Sequence, residues 1–245
     1  MTKLHHDTHF HLDLYDNIPK IIEEIEKREI FTIAVTNLPV LFNKLDKQIY
    51  SKYIRVALGF HPELITQYSK YIPQMWDLIE QVRYVGEVGL DLKNKSKVDC
   101  NNQIQFFKEL IYRCNSLGGK ILSIHSRGSE KEVLSVIGNN FNGYAIFHWY
   151  SGGLKNLDEA IKKGSYFSVN YSMAKSLNGK KIIERIPDDR LLIESDGPFI
   201  KINNKIFQPY DLEKIIIKVA EIKGFNLVEM EKILTNNLKI LLMNK

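Results

Sequence analysis

The sequence predicts an α/β fold of the (β/α)8 barrel kind, and three observations carry that expectation. Short apolar, β-branched runs alternate with amphipathic helical stretches along the whole chain. Eight strand-then-helix units succeed one another, which implies parallel strands with right-handed crossovers, and eight of these close a barrel. The length, 245 residues, is one that such barrels take as a single unit, so one domain over residues 1–245 is expected. An open, doubly wound sheet is the alternative reading of the same alternation.

The first strand leads into Asp7-Thr8-His9-Phe10-His11-Leu12-Asp13. Ile18, Ile21, Ile22 and Ile25 then recur at helical spacing over 18–28, with acids between them. Residues 31–36 form a β-rich run, and the Asn37-Leu38-Pro39 turn leads into a second helix. Strand three, 53–59, delivers Phe60-His61-Pro62-Glu63, and helical material follows between 71 and 82. Strand four, 84–86, runs into Glu87-Val88-Gly89-Leu90-Asp91. A long amphipathic helix over 99–117 is closed by Gly118-Gly119.

Strand five, 120–124, delivers His125-Ser126-Arg127, and a helix over 129–137 follows. Strand six, 144–147, delivers His148-Trp149-Tyr150 ahead of a helix over 154–163. Strand seven covers 166–169, followed by a helix over 178–185. Strand eight, 190–193, delivers Glu194-Ser195-Asp196-Gly197-Pro198. Two amphipathic helices, 209–222 and 226–243, finish the chain.

Composition narrows the function classes. Hydrophobic residues make up 44% of the chain, enough for a sizeable core. The net charge of +5, from 34 basic and 29 acidic residues, is a small push towards a polyanionic substrate. Cys100 and Cys114 are the only cysteines and form no C-x-x-C, which argues against a disulfide framework or a thiolate zinc site. The opening residues have no apolar signal core and no run reaches membrane-spanning length, so a cytoplasmic protein without a membrane partner is expected.

In an extended segment His9 and His11 share one side while Phe10 turns to the other. Two neighbouring imidazoles make half of a divalent metal site, and Asp7 and Asp13 are candidates to fix their second nitrogens. Alone, such a pair is more often surface or satisfied core. A barrel, however, gathers its active-site residues at the C-terminal strand ends. His61, Glu87, His125, His148 and Asp196 fall at those places too.

Up to five imidazoles and two carboxylates form a nitrogen and oxygen donor set that suits Mg, Mn, Zn or Co. Six ligands are too many for one tetrahedral ion, so two divalent ions sharing Glu87 are expected. Two such ions activate water and clamp a phosphoester, and Asp196 is the candidate to hold that water and accept its proton. Arg127 is most often a solvated side chain, but its fork geometry fits phosphate. Trp149 and Tyr150 are more often packing residues, yet at the mouth they have faces on which bases stack.

Several of these stretches resemble one family. Asp-Thr-His-Phe-His-Leu-Asp at 7–13, Gly-Phe-His-Pro at 59–62, Gly-Glu-Val-Gly-Leu-Asp at 86–91, Ile-His-Ser-Arg at 124–127, His-Trp-Tyr-Ser-Gly at 148–152 and Leu-Leu-Ile-Glu-Ser-Asp-Gly-Pro at 191–198 look like the motifs of the TatD family of metal-dependent deoxyribonucleases. The resemblance covers almost the whole chain, in order. It implies an amidohydrolase-like barrel and metal-dependent, often exonucleolytic, cleavage of DNA, with single-stranded or 3′-ended DNA as substrate. Carried over by position, His9, His11, Glu87, His125, His148 and Asp196 match the family's metal ligands, and His61 its histidine near the substrate.

The His-Trp-Tyr-Ser-Gly and Ser-Asp-Gly-Pro-Phe variants also look like the QatD branch, the TatD-like component of a bacterial anti-phage system, which implies partner proteins. Two departures bear on substrate choice. Phe10 stands where the family carries a small or sulfur residue, and 201–209 replaces an Arg-Asn-x-Pro loop. Hydrolysis of another ester, such as an aminoacyl-tRNA bond, and a non-catalytic complex subunit are the competing readings. Arg127, Lys201 and Lys205 favour a phosphate-bearing substrate, and the converging histidines speak against a bare scaffold.

Overall fold

The computed structural model describes residues 5–243. Residues 1–4, part of the opening stretch read above as lacking a signal core, lie outside the described residues. Parallel strands β1 (His6–Phe10), β2 (Phe31–Val35) and β3 (Ile54–Ala57) pair in that order, with Thr32 opposite Ile54. A second parallel set runs through β4 (Tyr84–Gly89), β5 (Lys120–His125), β6 (Gly143–His148), β7 (Tyr166–Val169) and β8 (Leu191–Ile193).

Two seams join these sets into a barrel. At the first, the Leu58 amide donates to Tyr84 O at 3.0 Å and the Gly86 amide to Leu58 O at 2.9 Å. At the second, between β8 and β1, the Asp196 amide donates to His9 O and the His11 amide to Gly197 O, both at 3.0 Å. Side chains complete that second seam: Thr8 Oγ1 donates to Ile193 O, and Asp7 Oδ1 accepts from the Ser195 amide at 2.9 Å. The sheet is therefore closed, as the expected barrel requires, rather than open. Register breaks fall between Asp7 and Phe10 and between Val85 and Val88, around His9 and Glu87. Irregular pairing of this kind re-aims side chains and recurs beside active sites.

The helices lie between the strands: α1 (Ile18–Lys27), α2 (Pro39–Asp46), α3 (Ile72–Ile79), α4 (Lys97–Leu117), α5 (Glu130–Ile137) and α6 (Leu154–Lys162). Then come α7 (Tyr171–Lys175), α8 (Leu177–Arg185), α9 (Glu213–Lys223) and α10 (Leu227–Met243). In α4 the Ser96 side chain accepts from the Asp99 amide, so the helix starts two residues earlier than expected, and Gly118 at φ 68° ends it. Phe106, Phe107, Leu110 and Cys114 form its buried face. Fully burying a side chain the size of Phe107 contributes about 1.5–3 kcal/mol. Both cysteines are free thiols.

Three features depart from the expected order. Helix α7 was not expected; Asn170 caps it by accepting from the Met173 amide at 3.0 Å. Residues 201–206 form a small hairpin, β9 (Lys201–Ile202) and β10 (Lys205–Ile206), around Asn203 and Asn204 at φ 50° and 63°. Asn tolerates that left-handed geometry, and two such residues in a row favour a two-residue turn. The expected helix over 209–222 is a short 3-10 turn, Pro209–Asp211, followed by α9; Gln208 and Asp211 cap one another. Among the described residues no helix is long and apolar enough to cross a membrane.

Candidate active site

The C-terminal strand ends open into a cleft of about 610 Å³. His9, on β1, is fully buried, and its Nδ1 lies 2.7 Å from Ser123 Oγ on β5. Its Nε2 faces His11 Nε2 at 3.2 Å, so the two imidazoles do share a side. Phe10 points into the core, where its ring packs on Tyr15.

Glu87, on β4, stands between these rings and three more. Its Oε1 lies 2.7 Å from His125 Nδ1, 3.0 Å from His148 Nε2 and 3.5 Å from His61 Nε2. Its Oε2 lies 3.5 Å from His11 Nε2 and 3.8 Å from His9 Nε2. The neighbouring glycine is a steric necessity, because a Cβ on Gly86 would meet Ser123 Cβ at 2.8 Å. Asp196 closes the circle, with Oδ1 at 3.7 Å from the Nε2 atoms of both His9 and His11.

Two side chains of this cluster sit on backbone that costs energy. Trp149 has φ 38° and Asp196 φ 47°. A non-glycine residue held there costs on the order of 1–3 kcal/mol, and such residues cluster at functional sites. Hydrogen bonds hold both: the Trp149 amide donates to Glu194 Oε1 at 3.0 Å, and the Asp196 amide to His9 O.

The charge states of His9, His11 and Glu87 favour a cation. Against burial, Glu87 and Glu194 lift His148 well above its ordinary value and Asp91 and Glu87 raise His125, so a cation there must displace a proton. Burial pushes His9 well below its ordinary value, helped by the neighbouring His148, and pushes His11 down to about 4. Both rings are thus neutral near pH 7, the form that binds a metal. Burial alone would raise Glu87, but His61 and His148 outweigh it and hold the carboxyl well below the usual range. Burial, with Glu194 and Glu87 adding to it, lifts Asp196 well above the carboxylate range, against the pull of His148.

The donor spacing also fits. Ligands about 2.0–2.1 Å from a tetrahedral ion stand roughly 3.3–3.4 Å apart. His9 Nε2 and His11 Nε2 meet that spacing with each other, with Asp196 Oδ1 and with Glu87 Oε2, at 3.2–3.8 Å, and His9, His11 and Asp196 place their donors within 4.8 Å of one another. A second set, His61, Glu87 and His125, also places its donors within 4.8 Å of one another. His9, His148 and Glu194 satisfy the same distance limit. Their chemistry does not fit an ion, because both Glu194 oxygens already accept hydrogen bonds, from the Trp149 amide, Asn170 Nδ2 and Ser168 Oγ.

Three contributing residues were missed in the sequence. Ser123 orients His9, Asp91 Oδ2 lies 3.0 Å from His125 Nε2, and Glu194 faces His148 Nδ1 at 3.6 Å. Ser123 is two residues before His125 on one strand, and that spacing puts both on the inner face. Asp7 and Asp13 do not orient the histidines through their rings. Asp7 accepts from the amides of His9 and Ser195, and no imidazole partner is found for Asp13. The substrate-side candidates separate as well. Arg127 is exposed and Trp149 half-buried, and both line the cleft. Tyr150 is buried between Phe147 and Phe167, with its hydroxyl on Gly153 O, so it is a packing residue and offers no stacking face. Phe199, which sequence reading did not single out, stands exposed in the cleft with its ring edge-on to His11 at 5.0 Å.

A closed parallel barrel with imidazoles and carboxylates converging at its C-terminal face is the architecture of a metal-dependent hydrolase. Residues 6–243 match the family described as TatD related DNase. The chain is 26% identical over 241 residues to an uncharacterized metal-dependent hydrolase of Methanocaldococcus jannaschii, covering 94% of each. It is 19% identical to the human deoxyribonuclease TATDN3, covering 94% of this chain and 92% of that one. The fold superimposes on a TatD family hydrolase from Entamoeba histolytica with a TM-score of 0.80, at 17% identity and 98% coverage of both chains. The chain belongs to the TatD-related DNase family of metal-dependent hydrolases.

Proposed function

We propose that the protein, as one barrel domain, hydrolyses phosphodiester bonds of DNA with two divalent cations, Mg, Mn or Zn. The observation that carries this reading is the division of Glu87, whose Oε2 faces His9 and His11 while Oε1 faces His61, His125 and His148. A carboxylate so divided has one oxygen for each ion. His9, His11 and Asp196 would hold one ion with Glu87, and His125 and His148 the other. When bound, the ions activate a water and neutralise charge on the phosphoester oxygens. Asp196 accepts the proton of the attacking water at its Oδ atoms, His61 lies on the substrate side of Glu87, and Arg127 pairs with a phosphate of the strand.

Trp149 and Phe199 offer ring faces to unpaired bases, which supports a single-stranded or frayed 3′ end and exonucleolytic removal from it. Two free thiols and the membrane-span result support a cytoplasmic enzyme. An anti-phage role with partner proteins is part of the proposal, supported by the 148–152 and 195–199 sequence variants. It predicts fewer plaques in cells expressing the wild-type system than in cells carrying Asp196→Asn.

The deciding experiment is cleavage of an end-labelled single-stranded oligonucleotide by wild type and Asp196→Asn, with Mg, Mn or Zn and an EDTA control. Metal-dependent laddering from one end, lost in the variant, is expected. Metal-loaded protein that leaves DNA intact overturns the reading and moves the activity to another ester bond.

A further inference from the structure

We propose that Glu194 is a positioning residue, fixing the ring orientation and tautomer of His148; this rests on the metal-dependent reading above. Glu194 lies at the C-terminal end of β8 and is fully buried. Its carboxylate gathers three donors from the ends of β6 and β7. Oε1 accepts from the Trp149 amide and from Asn170 Nδ2, each at 3.0 Å, and Oε2 accepts a short hydrogen bond from Ser168 Oγ. A buried carboxylate held by three donors cannot swing away.

His148 Nδ1 is buried and makes no hydrogen bond, and Glu194 Oε1 is 3.6 Å from it. The opposite nitrogen, Nε2, points at Glu87 Oε1 at 3.0 Å, while the ring stacks flat on His9 with centroids 3.8 Å apart. Stacking sets the plane of the ring but leaves open which nitrogen carries the proton. Glu194 decides that, because a carboxylate can only accept: it selects the tautomer with hydrogen on Nδ1 and leaves the Nε2 lone pair towards Glu87. The same oxygen holds the Trp149 amide at its φ of 38°. One carboxylate thus positions a candidate ligand and the adjoining rim of the cleft. It is not itself a site for an ion, since its oxygens are already occupied by these donors and it has no exposed surface.

The test uses metal-stripped full-length protein, with Zn²⁺ alone as the probe. Zn²⁺ titration by calorimetry is compared for wild type, Glu194→Gln and the control Lys131→Gln, alongside melting curves of the stripped proteins. Glu194→Gln, which keeps the shape but loses the charge, is expected to melt close to wild type and to bind one of its ions about 10–100-fold more weakly. Nitrogen-15 histidine spectra of Zn²⁺-loaded wild type are expected to show the His148 proton on Nδ1. Unchanged Zn²⁺ affinity in folded Glu194→Gln, or a proton on His148 Nε2 in the loaded wild type, overturns the assignment. The spectra decide the matter if the variant fails to fold. Wild type that takes up no metal overturns the metal-dependent reading instead.

Discussion

Ser123 Oγ lies 2.7 Å from His9 Nδ1, and this contact turns the other nitrogen of the ring towards His11. The hydroxyl holds one nitrogen of a fully buried imidazole, so the in-plane lone pair at Nε2 has a fixed direction. Ser123→Ala keeps the Cβ that packs against Gly86 and removes only that hold. A 10–100-fold fall in metal affinity is expected, measured by calorimetric titration, with a nearly unchanged melting temperature. Wild-type affinity in the variant would remove Ser123 from the site.

Asp196→Asn separates chemistry from folding. Asn tolerates positive φ better than most residues, so the backbone at 47° survives the change. What is lost is the carboxylate that takes the proton from water. Turnover of labelled DNA should drop by about 10²–10⁴-fold, with metal content by elemental analysis largely retained. Turnover within a few-fold of wild type would leave the base elsewhere.

Glu87→Ala should have the opposite profile, since both ion positions share that carboxylate. Elemental analysis of the purified variant is expected to find metal lost from both positions. In wild type, free ion at 100 times its Kd adds about 2.7 kcal/mol of stability. For a chain of this size that raises the melting temperature by roughly 5–10 °C. The Glu87→Ala protein should gain no such increment; a full gain would show that Glu87 is not shared.

The barrel was legible because its signal is repeated: each strand announces itself as a short apolar run, and all but the second and seventh deliver a candidate site residue at their ends. The strand-end rule then places His9, His11, His61, Glu87, His125, His148 and Asp196 at one mouth, and all seven meet there. Residues that act on other residues were harder to read. Ser123 and Glu194 matter through neighbours 114 and 46 positions away in sequence, and no local pattern encodes such pairings. Asp7 looked like a partner for an imidazole because it is close in sequence, but the β1–β8 seam claims it for the Ser195 amide. Asn203 and Asn204 carried a turn signal, yet a hairpin of two-residue strands has too little periodicity to stand out.

Tyr150→Phe tests the division between packing and recognition. The hydroxyl donates to Gly153 O at 2.8 Å from a buried ring. Its loss should cost about 1 kcal/mol in denaturant unfolding and leave KM for DNA unchanged. Trp149→Ala, by contrast, should raise KM. A raised KM in Tyr150→Phe would return that side chain to the substrate.

Phe199 provides the sharpest test of which DNA the cleft accepts. Its amide donates to Asp196 O at 2.9 Å, so the ring is tied to the residue proposed to take the proton, while 58% of its surface is exposed. An aromatic held there loses little by stacking on a base and gains about 1–3 kcal/mol when it does. Phe199→Leu keeps most of the apolar bulk but not the π face. For an oligonucleotide with an ordinary terminal base, KM should rise roughly 5–150-fold with kcat little changed, as expected for binding shared by ground and transition states. For the same oligonucleotide with an abasic terminal position, wild type and Phe199→Leu should perform alike, because there is no base to stack. If the variant loses equally on both substrates, Phe199 acts by shaping the cleft around His11 and not by reading the base.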